Sequence, residues 1–181
     1  MSGRALKIVG LVLGLVILAG GGYLIYNNSA RVDKPLNEAA FPPTLQSLSL
    51  GQVVSGPQAI GMISKLHGSD IKIKQGYIAQ YGGQQGQIMI WISESNNVSE
   101  AKQLFEIMDR KINKAGQSAS QSADGPPFTD RRTFTQNGLN VVAVKGMDME
   151  NYYYQAGSKV YWVAAGGVDP IKTLNEIMGA L

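Results

Sequence analysis

Ile8 to Tyr26 is a run of nineteen residues without a charged side chain. As a helix rising about 1.5 Å per residue it reaches roughly 28 Å, close to the thickness of a bilayer's hydrocarbon core. A buried soluble helix normally carries a polar stripe, and this run has none. Tyr23 and Tyr26 stand at one end, where aromatic rings favour the membrane–water interface, and Arg4 and Lys7 bound the other. The pattern predicts a transmembrane helix over 8–26. The basic bias before it, against Arg31 and Lys34 diluted by Asp33 after it, puts residues 1–7 in the cytoplasm as a short tail. A cleaved signal peptide is the alternative, with Ala19-Gly20-Gly21 as its cleavage site. The apolar run continues past that site to Tyr26, which favours an uncleaved signal anchor. Gly10 and Gly14 form one GxxxG, the spacing that lets two helix backbones approach, so a homodimer through this face of Ile8–Tyr26 stands beside a lone span.

Beyond the span the periodicity changes. Residues 27–54 carry Pro35, Pro42, Pro43 and several Ser and Asn, the composition of a linker or of an extended arm on which Phe41 and Leu45 dock. Ser55-Gly-Pro-Gln58 is a helix start, and Ala59, Ile60, Ile63 and Leu66 then share one face up to Gly68, which predicts a helix over 56–67. Ile71 and Ile73 alternate with lysines and suggest a short strand. Gly76–Tyr81 and Gln87–Ser93 flank a glycine-rich turn and read as a hairpin whose apolar second strand is covered on both sides. Asn97 with Glu100 opens a second helix, with Ala101, Leu104, Phe105, Met108 and Ile112 at helical spacing. Gln117–Pro127 is rich in Ser, Gln, Gly and Pro and reads as a loop. Two further hairpins follow. Arg131–Gln136 and Leu139–Lys145 meet at Asn137-Gly138, and Tyr152–Gln155 and Lys159–Ala165 meet around Gly157-Ser158. Asp169-Pro170 opens a last helix. Strands joined by short turns make an antiparallel sheet, and helices of this number cover one face of it. The fold class expected for 55–181 is therefore α+β, outside the cytoplasm.

Composition narrows the function classes. The formal charge is +3. Arg4 and Lys7 belong to the membrane flank, and the rest of the chain is close to neutral, without the concentrated basic face of a nucleic-acid binder. The absence of cysteine excludes disulfides, thiol catalysis and cysteine metal sites.

The segments Tyr77-Ile-Ala-Gln-Tyr81, Ile90-Trp-Ile92, the Ala101–Met108 helix, Tyr152-Tyr-Tyr154 and Val160-Tyr-Trp-Val163 together resemble uncharacterised prokaryotic single-span proteins with a small extracytoplasmic α+β domain. The resemblance covers about 75–165 and implies the architecture and a prokaryotic source; it brings no active-site residues.

Candidate chemistry is sparse. His67 is the only histidine, without further ligands at metal spacing, and sits where an imidazolium interacts with the free carbonyls of a helix end. No GxSxG occurs, and Ser99-Glu-Ala-Lys102 fits a bare S-x-x-K but reads better as a first helical turn. Gly82-Gly-Gln-Gln-Gly86 lacks the lysine and helix of a phosphate loop. Asn27-Asn-Ser29 and Asn97-Val-Ser99 match glycosylation acceptors by pattern. Asp148 and Glu150, in the connection before Tyr152, are the pair from which a carboxylate-dependent hydrolase would be built, although solvated turns carry the same residues. Tyr152 and Tyr154 share one strand face, with Tyr153 on the other. With Trp162 on the adjacent strand they form a candidate contact surface, or else fill core and cross-strand pairs. The resulting expectation is a membrane-tethered domain acting through contacts with another membrane or extracytoplasmic protein, without catalysis, cofactor, metal or nucleic acid. A ligand or glycan sensor using the aromatic surface is the alternative, and the hydrolase is the second alternative.

Overall fold

A computed structural model of the chain describes residues 36–67, 71–117 and 128–181. Among the described residues no helix is long and apolar enough to cross a membrane. The expected span Ile8–Tyr26 lies outside the described residues, as does most of the expected loop, 118–127.

Eight strands form one antiparallel sheet: β1 (Thr44–Leu45), β2 (Leu48–Ser55), β3 (Gln75–Gly83), β4 (Gly86–Glu94), β5 (Thr129–Gln136), β6 (Leu139–Gly146), β7 (Met149–Ala156) and β8 (Lys159–Gly166). Their spatial order is β1-β2-β3-β4-β8-β7-β6-β5. Three helices complete the described domain: α1 (Gly56–His67), α2 (Val98–Gln117) and α3 (Pro170–Ala180). The α+β reading holds, and the helix expected over 56–67 has those bounds. Short hairpins build each half, and the pairing of β4 with β8 joins the halves at the centre. At one end of that junction two glycine backbones cross. A Cβ at Gly86 would lie 2.2 Å from the Gly166 carbonyl oxygen, so no other residue fits there without a backbone shift.

Register sorts the side chains into two faces. One cross-strand row runs Ile78, Trp91, Trp162, Tyr153, Val142. The opposite face carries Tyr77, Ile92, Tyr161, Tyr154, Val141, Phe134. The first face receives α1 through Ala59 and Ile63, and α2 through Ala101, Leu104, Met108 and Ile112. The second receives α3, whose Leu174 and Ile177 are buried. Gln136 on that face donates to Asn175 of α3. Helices therefore cover both faces, not one.

Two expectations are corrected. The segment expected as a linker up to residue 54 belongs to the domain from Leu36 onward. Leu36, Phe41, Leu45 and Leu48 are buried, and β2 pairs with β3 along most of its length. The Tyr77 hydroxyl donates to the Leu36 carbonyl and that of Tyr81 to the Pro42 carbonyl. Prolines there mark bends of an arm fastened by tyrosines far along the chain. Ile71 and Ile73 form no strand; they pack under α2 from an irregular segment. Their alternation records burial on one side without a pairing partner.

Burial raises the phenol pKa of Tyr152, Tyr153, Tyr154 and Tyr161, and pushes that of Tyr81 up to about 12. An unfolded tyrosine ionises near pH 10, so between that pH and the folded value the unfolded chain holds fewer protons than the folded one. Stability should be fully present below about pH 10 and fall as pH rises beyond it. Spectrophotometric titration of tyrosinate, followed alongside circular dichroism, should show these five rings ionising only as the fold is lost.

Candidate functional site

The two tryptophans of the chain lie directly opposite each other on β4 and β8, as Trp91 and Trp162. Both point to the face covered by α1 and α2, and between the ends of those helices a groove remains open. Trp91 and Trp162 floor it, Leu66 of α1 forms one wall, and Met108, Lys111 and Ile112 of α2 form the other. Phe128 and Met147 close the side toward β6. The volume is about 180 Å³, lined almost entirely by carbon.

The floor is braced from the side, by β7. Trp162 stacks on Tyr153, with ring centroids 5.2 Å apart and planes 9° from parallel. Its indole N–H donates to Asn151 Oδ1 at 3.0 Å, and the Asn151 amide donates to the carbonyls of Gly146 and Met149. The Phe128 ring lies against Gly146, where a Cβ would meet it at 2.5 Å, and 5.4 Å from the Trp162 ring. The Tyr153 hydroxyl donates to Asp109 at 2.7 Å, and Arg131 grips the same carboxylate through three hydrogen bonds, two from Nη2 at 2.9 and 3.1 Å and one from Nε at 3.2 Å. This network ties α2 to β5 and β7.

The mouth is apolar where water would favour polar residues. Leu66 is 67% exposed and Met147 53%. An apolar rim around an apolar groove marks a site of contact.

The expected contact surface is rearranged. Tyr152 and Tyr154 do share a face, and Tyr153 takes the other, but Tyr152 is fully buried and Tyr154 2% exposed. Tyr154 stacks on Tyr161 at 4.8 Å and Tyr152 meets Phe134 edge-on. They are core residues, because α3 and the 36–45 arm cover the face they occupy. Trp162 lies on the opposite side of the sheet and is the one member of the expected set in the groove. Sequence reasoning missed Trp91, Phe128, Leu66 and Met147. Having both tryptophans on strands was a signal, but their opposition depends on a pairing between residues 71 positions apart.

Asp148 lies at the tip of the β6–β7 turn and Glu150 within β7. Together with Lys145 and Thr129 they line a shallow concavity of mixed polar and apolar surface, about 470 Å³ in volume. Glu150 is held by Arg132 at 2.9 Å, and Lys145 pairs with Asp130 at 3.0 Å. Among the described residues no group of three or more His, Asp or Glu side chains is placed to hold a metal ion. Ser99-Glu-Ala-Lys102 forms the first turn of α2. The Glu100 N–H donates to Asn97 Oδ1 at 2.9 Å, and the Glu100 carboxylate accepts from Asn96. The side chain of His67 lies outside the described residues.

No family model matches the chain, and no curated protein does. Among solved structures the fold is similar to a GTP binding regulator from Thermotoga maritima. The TM-score is 0.45 at 10% identity, over 74% of this chain and 77% of that one. A likeness so distant carries no argument about the groove or its occupant.

Proposed function

We propose that the chain is a membrane-tethered, extracytoplasmic domain that acts through protein contacts without catalysis, and that it docks its partner at the groove over Trp91 and Trp162. The size of the groove carries the reading. A cavity of about 150 Å³ takes one benzene ring, whereas sites for drug-sized ligands are about 300–1,000 Å³. A volume of about 180 Å³ fits one branched or aromatic side chain. Binding energy at protein interfaces concentrates on such anchors, seated centrally and ringed by contacts that exclude water. The exposed Leu66 and Met147 of its lining supply that ring here. The charge-free run Ile8–Tyr26 supports the tether.

A ligand or glycan sensor is the second reading, carried by the same two indoles; the small volume weighs against it. The hydrolase reading has a concavity containing Asp148 and Glu150 in its favour, and the Arg132–Glu150 ion pair against it.

The test uses the full chain in native membranes, with a photoreactive residue at Leu66 or, as a control, at Ile171, which is exposed on α3 across the sheet. The chain should stay in the membrane pellet after alkaline carbonate. It should form one defined protein adduct from position 66 and none from position 171. Release into the supernatant would remove the tether, and equal adducts from both positions would remove the groove.

A further inference from the structure

The outer strand of a sheet turns a row of N–H and C=O groups away from its neighbour, and folds normally blunt such an edge with a short strand, a bulge, proline or charge. Among the described residues the two outer strands are β1 and β5. β1 is only two residues long, whereas β5 has eight. The first half of β5 is blunted. Its register against β6 slips between Thr129 and Arg132, Asp130 adopts φ of 53°, and Arg131 and Arg132 carry charge. The second half, Thr133–Gln136, keeps a regular register and has neither proline nor charge. Thr133 and Thr135 are exposed, and Phe134 is half-buried. Threonine and phenylalanine are residues that suit a strand.

Register also tells which backbone groups face outward. Gln136 and Leu139 flank the two-residue turn Asn137-Gly138, so they exchange both backbone hydrogen bonds, and bonded and non-bonded pairs alternate from there. Phe134 and Gln136 therefore aim their N–H and C=O at β6. Thr133 and Thr135 aim theirs away from β6, four groups along the edge. A second β5 running antiparallel engages all four in one register, with Thr133 opposite the partner's Thr135 and the reverse. The two-fold axis then passes between the two Phe134 residues, a non-hydrogen-bonded pair in which side chains approach most closely. The threonines pair on the other face. Arg132 falls opposite the partner's Gln136, so no like charges oppose each other.

We infer that Thr133–Gln136 of β5 is an interface for a second copy of this chain, which continues the sheet of one copy into the other about a two-fold axis at Phe134. An interface of this symmetry must be complementary to itself. This stretch meets the condition in its backbone groups, its phenylalanine and its threonines at a single register. None of these residues lines the groove over Trp91 and Trp162, so the two surfaces are tested separately.

The test follows hydrogen exchange at the Thr133 and Thr135 amides by NMR, in full-length protein carrying nitrogen-15 threonine in detergent micelles. Sedimentation reads the oligomeric state across the same concentration series. Both amides should exchange quickly in the monomer and slow by at least about tenfold as the dimer forms. Thr135→Pro removes one outward N–H and leaves the β6 ladder intact. It should keep the near-ultraviolet circular dichroism of the parent chain and stay monomeric. Should that variant fail to fold, exchange in the parent chain decides alone. A dimer in which both amides still exchange quickly is held elsewhere, as through Gly10 and Gly14, and overturns the inference. Slow exchange already in the monomer shows the edge covered by the chain itself and overturns it too. So does a chain that stays monomeric at every concentration, or a folded Thr135→Pro that dimerises like the parent.

Discussion

Replacing Tyr152 and Tyr154 together with serine is expected to abolish cooperative folding. Both rings are buried on the α3 side of β7. Truncating one buried aromatic side chain costs about 3–5 kcal/mol. Tyr154 loses its stack on Tyr161, and Tyr152 its edge contact with Phe134. Each serine also leaves a hydroxyl in a space shaped for a ring. Two such losses rival the whole margin of a typical domain, about 5–15 kcal/mol. The double variant should lose its near-ultraviolet circular dichroism and its thermal transition. A melting temperature close to that of the parent chain would return these tyrosines to the surface. Tyr154→Phe is the control, since the stack and the volume survive.

The second large effect is expected at the groove. Trp91→Ala should lower affinity for an apolar-anchored peptide by about 2 kcal/mol, or roughly thirtyfold. Trp91 packs beside Ile78, Ala59 and Ile63 at the edge of a small cluster, so the fold should persist with a lowered melting temperature. Trp162→Ala should behave differently. It removes the stack on Tyr153, the contact with Phe128 and the hydrogen bond to Asn151, so stability and affinity should fall together. Peptide titration paired with thermal melting separates the two. Equal affinity of Trp91→Ala and the parent chain would take Trp91 out of the site.

What was legible in the sequence was local. Ser55-Gly-Pro and the apolar spacing that follows carry α1, and Asn137-Gly138 carries the β5–β6 hairpin, because each signal lies within a few residues of the structure it specifies. The Met147-Asp148 turn was not read as a two-residue hairpin, since Met147, its first central residue, lies outside the usual chemistry of that turn. The 36–54 segment looked like a linker because its partners, Tyr77 and Tyr81, come much later in the chain. The same limit hid the site. Alternation assigns Tyr152 and Tyr154 to one face and Trp162 to a strand, but does not say which face α3 covers. Nor does it say that β4 lies beside β8, and that pairing alone brings Trp91 to Trp162.

The groove itself is tested most directly by titrating toluene, a single apolar ring, into the full-length protein carrying carbon-13 at its methionine methyl groups. Met108 and Met147 line the groove, and Met178 lies on α3 across the sheet. Saturable shifts at Met108 and Met147, with Met178 unmoved, are the predicted result. No shift at either groove methionine, or an equal shift at Met178, would contradict it.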